Sequence, residues 1–239
     1  MSQSHFSSEE IQLKNYKGLT LTGYSRAAHR TGILIKGIDI LLDAGLDVQK
    51  AFKHIFITHQ HLDHVIYLPQ YTMNIENPSD SISVISSPKI LESIKPYLTG
   101  ALRMSKDIPK DISDDKILSE AKTNFHQITA DVNYCFMNGK DKWLVEPIKC
   151  SHGIESIGFG FSVEKVKLKE EYSGLAGFDI KKLKDTGIDI TYKKITPIFL
   201  FLGDTNKKIL LNEHIYTYPT IIIECTYIYD DEISLAKKK

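Results

Sequence analysis

Residues 54–64 read His54-Ile55-Phe56-Ile57-Thr58-His59-Gln60-His61-Leu62-Asp63-His64. The run His54 to Thr58 is almost wholly apolar, as expected of a short strand covered on both faces. It leads directly into three imidazoles and one carboxylate within six positions. Neutral imidazole nitrogens and carboxylate oxygens are the donors that zinc takes at catalytic sites. His59 and His61, two apart on a loop leaving a strand, point at one ion, and Asp63 and His64 reach a neighbouring one. Such a pair of ions activates water and clamps a phosphoryl group.

Upstream, Leu19 to Tyr24, Thr31 to Lys36 and Asp39 to Leu42 are β-branched or apolar runs divided by turn signals such as Lys36-Gly37. Downstream, Leu68 to Glu76 and Lys89 to Met104 read as helices, the second behind the cap and first turn Ser86-Ser87-Pro88. A second series of strands is predicted near Phe125 to Thr129, Val132 to Met137, Trp143 to Lys149 and Gly158 to Val163. A polar, lysine-rich stretch runs from Glu164 to Lys194, and strands resume at Ile198 to Leu202, Lys208 to Leu211 and Thr220 to Glu224. Helices among two series of strands predict layered α/β sheets with the site on strand-end loops. Two later loops follow apolar strands in the same way: Ser151-His152-Gly153 and Gly203-Asp204-Thr205. Taken alone, a single histidine or a Gly-Asp turn is more often structural.

The chain has 239 residues, 42% hydrophobic and 25% charged, enough for one large domain with a substantial core. No run approaches the roughly 18–20 apolar residues that span a bilayer. The N-terminal residues lack the basic and apolar blocks of a secretory signal. Cys135, Cys150 and Cys225 form neither a disulfide framework nor a metal knuckle, which suits a reducing, cytoplasmic setting. Thirty basic and thirty acidic side chains balance to zero net charge. That argues against a non-specific nucleic-acid coat and leaves room for a local basic patch.

His-x-His-x-Asp-His, the distant His152 and Gly203-Asp204-Thr205 resemble the metallo-β-lactamase superfamily. Longer stretches are similar to ribonuclease Z, the endonuclease family that trims tRNA precursors at the 3′ end, in its short form. These stretches are Leu41-Leu42-Asp43-Ala44-Gly45, Phe56 to His64, Leu68-Pro69, Leu168 to Leu175, Thr196 to Thr205 and Ile222-Ile223-Glu224-Cys225-Thr226. The resemblance implies an αββα sandwich, one domain over residues 1–239, with a small RNA-binding insertion at 165–195. It implies that His59, His61 and His152 hold one zinc, that Asp63 and His64 hold the other, and that Asp204 bridges them. Manganese is an alternative metal. Asp43 matches the acidic residue that supports the histidine loop, against a plain turn role before Ala44-Gly45. Glu224 matches a glutamate behind the site that helps move protons, against an ordinary strand-end carboxylate. Asp63 would orient the attacking water and accept its proton.

The family pattern continues past Glu224 with a helix and a histidine-rich segment. This sequence stops at Asp230 to Lys239, so the expectation is a C-terminally truncated form whose second metal site lacks an imidazole. His214, in Leu211-Asn212-Glu213-His214-Ile215, reads as a surface connection and a poor replacement. Val65-Ile66-Tyr67 stands where relatives have small residues, so Tyr67 is expected to crowd the loop or enter the cleft. His5, His54 and His126 read as structural or surface groups.

The insertion carries Lys165, Lys167, Lys169, Lys181, Lys182, Lys184, Lys193 and Lys194, diluted by acidic residues. By charge alone this is a solvated surface. By resemblance it is an arm that grips tRNA, with Lys181, Lys182 and Lys184 on phosphates. Arg26, His29 and Arg30 lie on an early loop, where the arginines either touch phosphates or are merely exposed. The expected partners are precursor tRNA and a second copy of the chain in a homodimer, with no membrane. Three functions compete: the zinc-dependent tRNA 3′ endonuclease, a silent RNA-binding relative acting as a partner subunit, and a hydrolase of a small ester or phosphodiester. An external arm argues against the last.

Overall fold

Strand runs from the two halves of the chain form two separate sheets. The computed structural model describes residues 10–13, 16–48, 50–73 and 81–225. The first sheet is seven-stranded, in sequence order: β1 (Ile11–Gln12), β2 (Thr20–Arg26), β3 (Arg30–Lys36), β4 (Ile40–Leu42), β5 (His54–Phe56), β6 (Ile82–Ser86) and β7 (Thr123–Gln127). It is antiparallel from β1 to β4 and parallel from β4 to β7. The second sheet comprises β8 (Tyr134–Asn138), β9 (Asp141–Lys149), β10 (Ile157–Leu168), β11 (Thr191–Phe201) and β12 (Ile221–Ile222), in the order β12-β11-β10-β9-β8. Only β12, beside β11, is parallel to its neighbour there.

Side-chain alternation decides what lies between the sheets. Phe56 meets Phe159 and Phe161 of the second sheet with ring centroids 5.2 and 5.0 Å away. His54, on the same face of β5, lies 4.6 Å from the Phe136 ring and hydrogen-bonds Tyr134 Oη at 3.1 Å. Ile55 points the other way and is also fully buried, so the run is covered on both faces as its composition predicts. The helix α3 (Pro88–Lys106) packs on β6 and β7, and α2 (Leu68–Met73) and α4 (Asp114–Glu120) pack on α3. Ser87 Oγ caps α3 by accepting from Ile90 N–H, and Pro88 opens its first turn. On the second sheet, Leu200 and Leu202 face outward where Phe199 and Phe201 face inward. Ile209, Ile215 and Tyr218 cover that outer face from two 3₁₀ turns, Lys207–Leu211 and Glu213–Thr217. The layers are therefore helices, sheet, sheet and short helical turns, a mixed α/β sandwich.

Several predicted elements change. Lys208 to Leu211, expected as a strand, is a 3₁₀ turn. Asn206 Oδ1 accepts from Lys208 N–H at 3.0 Å and starts the turn, and Leu210 and Leu211 stay exposed, so the apolar run never joins a sheet. The predicted strand Val132 to Met137 begins at Tyr134, Val132 making only an isolated bridge to Thr129. The last strand shrinks to Ile221–Ile222. Strand β1 and helix α4 were not anticipated. Ser113 accepts from Lys116 N–H, and Asp114 and Asp115 occupy the first turn of α4. Residues 74–76 of the predicted helix Leu68 to Glu76, His5, Thr226 and the segment Asp230 to Lys239 lie outside the described residues.

The lysine-rich stretch is not one helical surface. β10 and β11 run on past the sheet as a two-stranded ribbon, pairing Lys165–Leu168 with Thr191–Lys194. A 3₁₀ turn (Glu170–Tyr172) and the helix α5 (Gly177–Asp185) close it, and α5 buries none of its residues.

Candidate metal centre

The loops that leave β4 and β5 are fastened to each other by one buried carboxylate. Asp43 has no exposed surface and a left-handed backbone (φ 57°), a conformation that Asp tolerates better than most residues. Its N–H donates to Phe56 O at 2.9 Å. Its Oδ1 accepts from Thr58 N–H at 2.8 Å, and its Oδ2 accepts from Thr58 Oγ1 at 2.9 Å and from His64 Nδ1 at 2.8 Å. The next two residues hold the returning histidine segment. Ala44 N–H donates to His64 O at 2.7 Å and Gly45 N–H to Thr31 O at 2.8 Å. A Cβ on Gly45 would lie 1.7 Å from Asp63 O, so only glycine fits. The helical turn α1 (Leu62–Val65) then carries Asp63 and His64.

Loops of the second sheet are tied to the same point. Ile157 N–H donates to Thr58 O at 3.0 Å, and Ser156 Oγ to Asp204 O at 3.0 Å. Asn206 N–H donates to Ser151 O at 2.9 Å, and Ser151 N–H to Thr205 Oγ1 at 3.1 Å. Gly203 adopts φ 59° with Thr58 Cγ2 only 2.8 Å from where a Cβ would stand. The loops carrying His152 and Asp204 are thus locked to one another and to the start of the histidine loop.

Two groups of donors result. In the first, His59 Nε2 lies 3.0 Å and His152 Nε2 3.3 Å from His61 Nδ1. Asp204 Oδ2 stands 3.9 Å from His59 Nε2 and 3.8 Å from His152 Nε2. In the second, Asp204 Oδ1 is 3.6 Å and Asp63 Oδ2 3.7 Å from His64 Nε2. Glu224 joins His64 and Asp204, with ligand atoms all within 4.8 Å of one another. Asp204 therefore turns one oxygen toward each group.

Hydrogen bonding sets the tautomers. Thr58 Oγ1 has one proton and spends it on Asp43, so His59 Nδ1, 3.0 Å away, is the donor to Thr58 and His59 Nε2 keeps its lone pair toward the cluster. His64 Nδ1–H is likewise taken by Asp43, which leaves Nε2 facing inward. Burial, helped by the neighbouring imidazoles of His64, His61 and His152, pushes His59 down to about 2 and keeps it neutral. Burial pulls His64 down as well, but the carboxylates of Asp43, Asp204 and Asp63 outweigh it and hold this ring up at about 9, so that without a cation Nε2 carries a proton, which a bound cation would displace to reach the lone pair. Burial, then the charge of Asp204, raises the Glu224 carboxyl. Among the described residues, His64 Nε2, Asp204 Oδ1 and Glu224 Oε1 are buried without a hydrogen-bond partner. Such groups are rare, and each costs about 1–3 kcal/mol if left so. Imidazoles and carboxylates whose lone pairs converge in this way fit divalent cations.

The remaining predicted residues are placed as follows. His214 hydrogen-bonds Glu146 at 2.7 Å and joins neither donor group. Tyr67 is half-buried and packs against the main core, with the Arg30 guanidinium 5.6 Å from its ring centroid. Arg26 and His29 are exposed and Arg30 is half-buried, at the tip of the β2–β3 hairpin. Lys181, Lys182 and Lys184 are exposed on α5, with no ion pair among the described residues. Thr58, Ser25 and Thr31 were not singled out from sequence. Ser25 Oγ and Thr31 Oγ1 donate to Glu224 Oε2 at 2.8 and 3.0 Å. The position of Thr58 directly ahead of the first histidine was the available signal. Nothing in sequence pairs Ser25 and Thr31 with Glu224, which lies in the other sheet.

No family model matches the chain. Among curated proteins it is 29% identical over 234 residues to tRNase Z TRZ1 of Arabidopsis thaliana, covering 95% of this chain and 78% of that protein. The chain is thus similar to a protein named tRNase Z over nearly its whole length. It is also 26% identical to the chloroplastic tRNase Z TRZ2 of Arabidopsis thaliana, over 91% of this chain and 58% of that protein. With the nuclear ribonuclease Z of Triticum aestivum the identity is 27%, over 73% of this chain and 93% of that one. The solved human tRNase Z, short form, superposes with a TM-score of 0.49 at 16% identity, over 90% of this chain and 80% of that one. No helix among the described residues of this chain is long and apolar enough to cross a membrane.

Proposed function

We propose that this chain is a metal-dependent endoribonuclease that removes the 3′ trailer from tRNA precursors and leaves a 3′-hydroxyl on the tRNA. The observation that carries the reading is Asp204, one oxygen toward His59 and His152 and the other toward His64. It stands in a chain similar to tRNase Z proteins over nearly its whole length. In this reading His59, His61, His152 and Asp204 hold one cation, Asp63, His64 and Asp204 hold a second, and zinc or manganese fills both. When bound, such a pair lowers the pKa of water toward neutrality and neutralises charge on phosphoryl oxygens. Asp63, with its side chain 16% exposed beside His64, orients the attacking water toward phosphorus and takes its proton. Asp43 keeps His64 in the tautomer whose Nε2 faces the site. Arg26 and Arg30 flank the approach and meet backbone phosphates.

The ribbon and helix over 165–195 serve as the tRNA-gripping arm of a single 1–239 domain. Lys181, Lys182 and Lys184 supply phosphate contacts that read folded RNA shape rather than sequence. The enzyme works as a homodimer in which the arm of one copy serves the site of the other. A reducing compartment such as the cytoplasm suits its free thiols. The test is cleavage of a 3′-extended tRNA beside a small phosphodiester, with zinc or manganese supplied. Tight tRNA binding without cutting favours the silent subunit, and turnover of the small ester alone favours the small-substrate hydrolase.

A further inference from the structure

Glu224 lies just past β12 and reaches across to the first sheet. Its Oε2 accepts from Ser25 Oγ at 2.8 Å and from Thr31 Oγ1 at 3.0 Å, so one oxygen is anchored by the β2–β3 hairpin. Its Oε1 is buried and has no hydrogen-bond partner among the described residues. That oxygen belongs to the group in which Glu224, His64 and Asp204 bring ligand atoms within 4.8 Å of one another. The two companions, His64 Nε2 and Asp204 Oδ1, are equally unpartnered. A carboxylate fixed through one oxygen and presenting the other is how outer hydrogen bonds orient a metal ligand.

We propose that Glu224 is itself a ligand of the second cation, through Oε1, beside His64, Asp63 and Asp204. This rests on the two-cation reading above and gives the two positions different chemistry. The first has three imidazoles and one carboxylate, a donor set suited to zinc. The second has one imidazole and three carboxylates, an oxygen-rich set that suits manganese.

The test is titration of the metal-free protein with Mn²⁺, followed by calorimetry and electron paramagnetic resonance, for wild type, Glu224→Gln and Glu224→Asp. Gln keeps the shape and removes the charge; Asp keeps the charge and withdraws the oxygen by one methylene. Wild type takes two equivalents. Both variants keep the first equivalent and lose affinity for the second by at least about 10-fold, while a cooperative metal-free unfolding transition shows that both keep the fold. Two equivalents bound at wild-type affinity in both variants overturns the ligand role and leaves the two-cation reading standing. A wild type that never takes a second equivalent overturns the two-cation reading, and the ligand role with it.

Discussion

Asp43 Oδ2 accepts from His64 Nδ1 at 2.8 Å, with both side chains fully buried. The same carboxylate accepts from Thr58 N–H and Oγ1, and Thr58 Oγ1 in turn accepts from His59 Nδ1. One residue thus fixes a ring of each donor group. Asp43→Ala removes the partner of a buried imidazole and a buried amide together. The expected loss of stability is about 3 kcal/mol, read by denaturant unfolding, together with weaker metal binding at both positions. Unchanged unfolding and unchanged binding would contradict the fastening role.

Gly45 meets Asp63 O at a distance no side chain allows. Gly45→Ala must push the turn carrying Asp63 and His64 off the β4 loop. The expected cost is about 3 kcal/mol, accompanied by metal binding weakened more at the second position than at the first. A variant that matches wild type in both measurements would show that the backbone shifts freely there.

His54 lies between the sheets against Phe136 and Tyr134. Burial, then the charges of His126 and Lys53, lowers this imidazole to about 4. Below its ordinary value the unfolded chain takes up a proton that the folded chain refuses. Stability is therefore complete above pH 6.5 and falls as pH drops toward 4. Discounted for its partial exposure, the loss is about 2 kcal/mol. His54→Phe should make that part of the unfolding profile of the metal-free protein shallower, the rest of the slope coming from His59, which is held lower still; an unaltered slope between those limits would exclude His54 as a source.

The arm prediction separates binding from chemistry. Reversing Lys181, Lys182 and Lys184 to glutamate should raise KM for precursor tRNA, leave turnover of a small phosphodiester unchanged, and reduce the salt dependence of RNA binding by about 0.7–0.9 per lost contact in log–log slope. Equal loss on both substrates would show that α5 supports the fold rather than the RNA.

How much could be read from the sequence depended on where the information was stored. The donors at 59–64 were legible because a strand's apolar run and its loop are contiguous, and His152 and Asp204 because each follows another such run. The burial of β5 on both faces was legible in its apolar run, whereas the inward Phe199 and Phe201 and outward Leu200 and Leu202 of the wholly apolar run Ile198 to Leu202 were not. Lys208 to Leu211 was misread because an apolar run says nothing of Asn206, whose side chain turns the backbone into a 3₁₀ helix. The ribbon hidden in 164–194 was missed because its strands stay largely exposed and their lysines outweigh the short alternation Lys165-Val166-Lys167-Leu168. Ser25 and Thr31 were out of reach: their partner Glu224 lies 199 and 193 residues away, and hydroxyls carry no pattern of their own.

The most direct measurement is the cutting of a 3′-extended tRNA by the purified chain with zinc or manganese, wild type against Asp63→Ala. A single cut after the discriminator nucleotide, yielding tRNA with a 3′-hydroxyl and lost in the variant, is the expected result. Intact precursor after incubation with metal-loaded wild type, or equal cutting by the variant, would contradict the assignment.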